Sequence, residues 1–172
     1  MNIFYLDSDP VVCARYHNDK HVVKMIVESC QLLSTAHHVL DDSIPTYHEK
    51  KEIIYKATHK NHPSGIWTRE SAKNYKWLWQ LTKALCAEYT HRYGKIHKCE
   101  SSGLLDFLQT PPVNINKAGE FTTPPLAMPD DCKISEDAIA SYKQYYMKHK
   151  HHIANWKNRE IPDWFRTEPV SL

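Results

Sequence analysis

Over the first forty residues the apolar side chains fall into a single helical stripe, and that spacing constrains the fold more than anything else in the chain. Val12, Tyr16, Asp19, Val23, Ile26, Cys30 and Leu33 follow one another at steps of three and four, which predicts one long amphipathic helix over residues 9–40. Asp9 followed by Pro10 marks its start, as a capping acid and a proline at the first helical position. A polar cluster, His17-Asn18-Asp19-Lys20-His21, interrupts this helix and puts Asp19 on the apolar stripe. A buried carboxylate is costly unless it is paired, so Asp19 implies either a partner such as Tyr, Trp or Arg, or a working role. His17, His21, Lys24 and Glu28 fall on the opposite face. There they read either as a solvated, ion-paired surface or, for the two histidines four residues apart, as ligands sharing a metal. The metalloprotease pattern needs a glutamate directly after the first histidine, and Asn18 stands there instead.

A chain of 172 residues is long enough for one domain with a sizeable core, expected over residues 1–172. Its 41% hydrophobic content excludes the disordered and fibrous classes. No apolar run approaches the roughly 18 residues of a membrane span, and no charged-then-apolar leader is present, so a cytoplasmic protein is expected. Five cysteines without a CxxC pair argue for reduced thiols that fill the core rather than for a disulfide frame.

Charge is distributed unevenly. Residues 56–98 carry nine Lys and Arg against two Asp and Glu, with Trp67, Tyr75, Trp77 and Trp79 interspersed, the mixture that grips a polyanion and stacks bases. A second basic stretch, residues 143–159, holds no acid and includes His149, His151 and His152. Both also read as solvated faces that balance acidic helices elsewhere.

The opening Met-Asn-Ile-Phe-Tyr-Leu predicts a short strand, and residues 41–51 a polar connection. In the polar stretch 55–64, Pro63 disfavours helix at His62 while Ser64 or Thr68 caps the next helix. That gathers His59, Asn61, His62 and Arg69 at a helix N-terminus, where phosphate or carboxylate is attracted. A second long helix is predicted over residues 68–93, with Leu78, Leu81, Leu85 and Tyr89 inward and Gly94 ending it. A short helical patch comes next, at 103–109. Five prolines then forbid regular structure through 110–131, a long loop of the kind that serves as a lid. Ser135, Glu136 and Asp137 open a third long helix carrying Ile139, Tyr142, Tyr146 and Ile153, closed by Pro162. The expected fold is mostly α: a helical bundle of three long helices with shorter ones, a short N-terminal strand and a long proline-rich loop.

The segments Asp19-Lys20-His21-Val22-Val23-Lys24-Met25, Thr58-His59-Lys60-Asn61-His62-Pro63 with Trp67 and Arg69, and Ala127-Met128-Pro129-Asp130 resemble a family of uncharacterised tailed-bacteriophage proteins. In layout, the N-terminal strand, the acid on the first long helix, and Asn61-His62-Pro63 before a helix ending in Tyr93-Gly94 are similar to pyrimidine-dimer DNA glycosylases of the phage endonuclease V type. That resemblance covers roughly the first hundred residues. It implies a compact helical fold, an N-terminal α-amine attacking the sugar C1′, a carboxylate on the first helix and base flipping. By position Asp19 stands for the acid, where that family carries a glutamate, and the basic stretch after Lys56 grips phosphates. Asn2 is a poor context for removal of Met1, whereas the family exposes a small residue there.

The leading expectation is therefore a phage-type enzyme acting on nucleic acid or a nucleotide. Asp19, His17, His21 and Lys24 are its candidate catalytic groups, and His59, Asn61, His62, Trp67, Arg69 and Lys73 its candidate substrate contacts. The first alternative is a hydrolase with zinc or another divalent metal on His17, His21 and His62. The second is a non-catalytic phage protein that binds DNA or a host protein.

Overall fold

The computed structural model describes residues 2–165, and its described residues form eight α-helices with no strand. The mostly α expectation holds. Residues 2–7 are extended, but they make no sheet. Ile3, Phe4, Tyr5 and Leu6 are all buried, with Phe4 packed on His21, Tyr142 and Tyr146 and Tyr5 on Trp77. Side chains on both sides of this segment are covered by helices, so the expected strand becomes a threaded core segment.

The predicted helix over 9–40 is two helices. The first, α1 (Pro10–Tyr16), is capped by Asp9, whose carboxylate accepts from Val11 and Val12. His17 is extended, and Asn18 caps α2 (Asp19–Asp41) by accepting from the His21 amide at 2.9 Å. The break is stable because Arg92, far along the chain, donates to the carbonyls of Arg15 and His17 left open at the end of α1. It also resets the helical phase. His17 and His21 are buried at 0% and 4% exposure while Val23 is 39% exposed, which overturns the solvated-face reading of the two histidines. The inner stripe of α2 is His21, Met25, Glu28, Leu32 and Thr35, of which all but the half-buried Glu28 are buried.

The connection expected over 41–51 contains a helix, α3 (Tyr47–Ile53), with no buried residue of its own. The predicted second helix is also divided, into α4 (Pro63–Glu70) and α5 (Ala72–Tyr93). Ser71 is fully extended between them and caps α5 by accepting from the Asn74 amide. Gly94 ends α5 with φ 67°, a left-handed turn suited to glycine. Leu78, Leu81 and Leu85 are buried as expected, and α5 packs against α1, α2 and α4.

Two short helices come next, α6 (Lys98–Ser101) and α7 (Leu104–Leu108). Residues 110–129 carry no helix or strand, as their prolines dictate, yet they are tied down throughout. Trp67 Nε1 donates to Thr122 O, and Asn74 both donates to and accepts from Thr122. Asp41 accepts from the amides of Val113 and Asn114 and from Lys50. Burial pushes the Asp41 carboxyl up, but these donors outweigh it and hold the group below the ordinary aspartate value. Asp41→Asn is expected to cost about 1–3 kcal/mol and to raise amide exchange over 110–117, read by chemical denaturation and hydrogen exchange.

The third predicted helix, α8 (Ala138–His149), is capped by Asp137 and stops well before Pro162. After a 3-10 turn (His151–Ile153) the chain crosses back to the α1–α2 junction. There Asn155 O accepts from the Asp19 amide, Trp156 Nε1 donates to Tyr16 O, and the Lys157 amide donates to Asp19. All five cysteines are buried and free. None of the described helices is long and apolar enough to cross a membrane.

Candidate active site

The residues singled out in the sequence separate into two groups. In the first, Asp19 Oδ1 accepts from Arg92 Nη1 at 3.0 Å and from the Lys157 amide at 2.8 Å. Arg92 is itself buried and also donates to Glu88, which accepts in turn from Arg159. Burial pushes Glu88 up, but the hydrogen bonds and charges of Arg159 and Arg92 outweigh it and hold its carboxyl below the usual value. Of the two readings of Asp19, the structure supplies the partner: an arginine that joins the two helix ends to α5.

His17 and His21 lie close by but face inward. His17 Nδ1 is 2.7 Å from Cys13 O, so it carries the proton, and Nε2 has no partner among the described residues. His21 Nδ1 lies 2.7 Å from the Tyr146 hydroxyl, and its ring stacks on Phe4 at 4.2 Å. Burial pulls the pKa of His17 down to about 4 and that of His21 down to about 2, so both are neutral near pH 7. Outside them, Lys20 and Lys24 stand exposed along a groove of about 560 Å³ shared with Asp19, Tyr93 and Asn155.

The second group is built on α4. His62 caps that helix, its Nδ1 accepting from the Ser64 amide at 3.0 Å, with Pro63 at the first helical position. His59 takes a left-handed turn with φ 51°, and its carbonyl accepts from the His62 amide. The His59 and His62 rings stand edge to face, 6.4 Å between centroids. Arg69 reaches back from the last turn of α4 so that Nη2 donates to Lys60 O at 2.7 Å, while Nη1 is buried without a hydrogen-bond partner among the described residues. The expected gathering of His59, His62 and Arg69 is therefore present, with Asn61 exposed at its rim. Burial lowers the pKa of both His62 and Arg69.

Gly65 allows this group to sit tightly against α2. A Cβ there would lie 3.0 Å from His59 O, 3.7 Å from Arg69 Nη1 and 3.8 Å from Leu32 of α2. Arg69 Nη1 thus sits at the seam between α2 and α4, and Glu28 is one turn before Leu32 on the same face of α2. Thr35, one turn beyond, fixes the loop by accepting from the Thr58 amide and donating to its carbonyl. The sequence places Glu28 on the outer face only if the helical phase is carried through His17–Asn18. Counted from the Asn18 cap, Glu28 is the charged residue on the inner stripe, and that was the signal available.

Two further candidates are occupied in other ways. Trp67 is 4% exposed and anchors the proline-rich segment through Thr122, and Lys73 pairs with Glu120 at the surface. Among the described residues, His17, His21 and His62 do not form a set of three ligand atoms close enough to share an ion.

A family model, pyrimidine dimer DNA glycosylase, matches residues 1–101, the stretch that holds the extended N-terminal segment, α2 and the His62-Pro63 start of α4. The chain belongs to the pyrimidine dimer DNA glycosylase family. A glycosylase-like function directed at DNA comes with that membership. The matched stretch holds α1 through α6 and both groups of site residues, whereas α7, the proline-rich segment and α8 lie outside it. No curated protein and no solved structure matches the chain.

Proposed function

We propose that the chain is a DNA glycosylase with abasic-site lyase activity, in which the N-terminal α-amine is the nucleophile and Glu28 the catalytic carboxylate. Glu28 supports this reading most directly. It is a half-buried glutamate on the inner stripe of α2, the first long helix, at the seam where α4 brings Arg69, and the resemblance implies a carboxylate on that helix. The amine lies outside the described residues. Asn2, next to it, is packed against the proline-rich segment, its Nδ2 donating to Ala127 O at 3.1 Å. Because Asn2 disfavours removal of Met1, the reactive amine is that of Met1.

An α-amine titrates near 8, so a useful fraction is neutral and nucleophilic at pH 7. Its nitrogen bonds to C1′ as the glycosidic bond breaks and the base departs with that electron pair and takes a proton from water. The nitrogen then loses a proton to water, and its lone pair forms the C1′–N double bond as C1′–O4′ breaks and O4′ is protonated, opening the sugar ring. Positive charge on the resulting iminium is stabilised by the Glu28 carboxylate. Loss of a C2′ proton then expels the 3′ phosphate, which is the lyase step. His59, His62, Arg69 and the exposed Asn61 hold a phosphate at the start of α4, and Lys20, Lys24, Lys56 and Lys60 extend the contact along the backbone.

Borohydride trapping on a duplex containing an abasic site tests this. The expected result is a covalent adduct that peptide mass spectrometry places on the amine of Met1. An adduct on a lysine side chain, or none from a folded protein, removes the amine mechanism.

A further inference from the structure

Outside the family-matched stretch, Asp131, Cys132 and His149 bring three potential ligand atoms within 4.8 Å of one another. Asp131 and Cys132 belong to a 3-10 turn (Asp130–Cys132) at the end of the proline-rich segment, and His149 closes α8. They also hydrogen-bond one another directly. His149 Nε2 is 3.2 Å from both oxygens of Asp131, shared between the two rather than short to one. Cys132 Sγ is 3.7 Å from Asp131 Oδ1.

These two separations suit edges of a coordination tetrahedron, and the third, from Cys132 to His149, is within 4.8 Å. Nitrogen and oxygen each about 2.0 Å from a shared ion stand about 3.3 Å apart, and sulfur at about 2.3 Å stands about 3.5 Å from either. We propose that Asp131, Cys132 and His149 form a site for a zinc-like divalent cation, binding through one oxygen, one sulfur and one nitrogen. The mixed donor set selects a borderline ion over magnesium or calcium, which take oxygen ligands.

The frame around the site is already set. Asp131 O accepts from Gln144 Nε2 and Lys148 Nζ, which pins the turn to α8. Cys132 is fully buried, and the side chains of Asp131 and His149 are 55% and 39% exposed. An ion there is held from the protein side and keeps its fourth position toward solvent. On binding, the Cys132 thiol releases its proton to water and becomes the thiolate ligand. The ion then clamps the C-terminal end of the proline-rich segment onto α8.

The test uses the full chain, purified without an affinity tag and stripped with a chelator, titrated with cobalt(II) and then zinc(II). One equivalent of cobalt is expected, with a thiolate-to-metal charge-transfer absorption that zinc displaces. Cys132→Ser should lose that absorption, and Cys132→Ser and His149→Ala should each weaken binding at least about 100-fold, since removing even an outer-shell partner costs 10–100-fold. In chelator, His149→Ala should melt with the stripped parent, which separates lost coordination from lost folding. No saturable binding at micromolar cobalt, or an unchanged spectrum in Cys132→Ser, overturns the assignment.

Discussion

Glu28→Gln is expected to leave a folded protein whose single-turnover rate on an abasic duplex falls at least about 1,000-fold, or about 4 kcal/mol of transition-state stabilisation. Glutamine matches glutamate in size and keeps a carbonyl acceptor, so packing on the α2–α4 seam survives while the negative charge opposite the iminium is lost. Asp19→Asn is the control with the opposite signature. Asp19 joins Arg92 and the Lys157 amide at a helix junction, so its loss should cost about 1–3 kcal/mol of stability and leave the rate of the folded fraction within a few-fold. Both variants are compared by single-turnover kinetics and by chemical denaturation. An inactive, stable Asp19→Asn beside an active Glu28→Gln would move the acid to Asp19.

That contrast also shows where the sequence could be read and where it could not. Asp9-Pro10, Gly94 and the leucines of α5 are local signals, and the structure bears each of them out. The five prolines likewise foretell an irregular segment after residue 109. The break at His17–Asn18 is different. It depends on Arg92 reaching carbonyls of α1 from a distance of 75 residues or more in sequence, and nothing local announces that. A break of two residues turns the next helix by more than half a revolution. His21 therefore lies on the inner face, and the half-buried carboxylate on the inner stripe of α2 is Glu28. At the α4 N-terminus the gathering of His59, His62 and Arg69 is legible because the signals are neighbours in sequence, but the cap is His62 itself and the helix starts at Pro63, not after a Ser64 or Thr68 cap. Trp67 fared less well, since only the tertiary contact with Thr122 reveals it as an anchor for the proline-rich segment.

Stability should fall steeply as pH drops below about 6.5, before any carboxylate titrates. Three histidines are buried in neutral form. Burial lowers His17 to about 4, His21 to about 2 and His37 to about 3. Each is committed to one tautomer. His17 Nδ1 donates to Cys13 O, and His37 Nε2 donates to the Tyr75 hydroxyl, which itself donates to Leu108 O. The Tyr146 hydroxyl accepts from the Asn18 amide and so gives its proton to His21 Nδ1. Protonating His21 would set two donors against each other, and protonating His17 or His37 would bury an unpaired N–H. The unfolded chain takes up these protons at about pH 6.5 while the folded chain does not. Stability is therefore complete above pH 6.5 and is lost as pH falls toward the folded-state values. Each histidine contributes about 1.4 kcal/mol per pH unit in that window, about 4 kcal/mol for the three together. Against a typical total of about 5–15 kcal/mol, that places acid unfolding between about pH 5 and 3. Asp41 and Glu88, held low by their partners, lose their contribution only further down, as pH falls from their unfolded values through the folded ones. Urea midpoints at pH 7.5, 6.5 and 5.5 measure the slope. His37→Leu should remove about a third of it, and a midpoint that stays flat from pH 7.5 to 5.5 would mean that the buried histidines take up protons in the folded state.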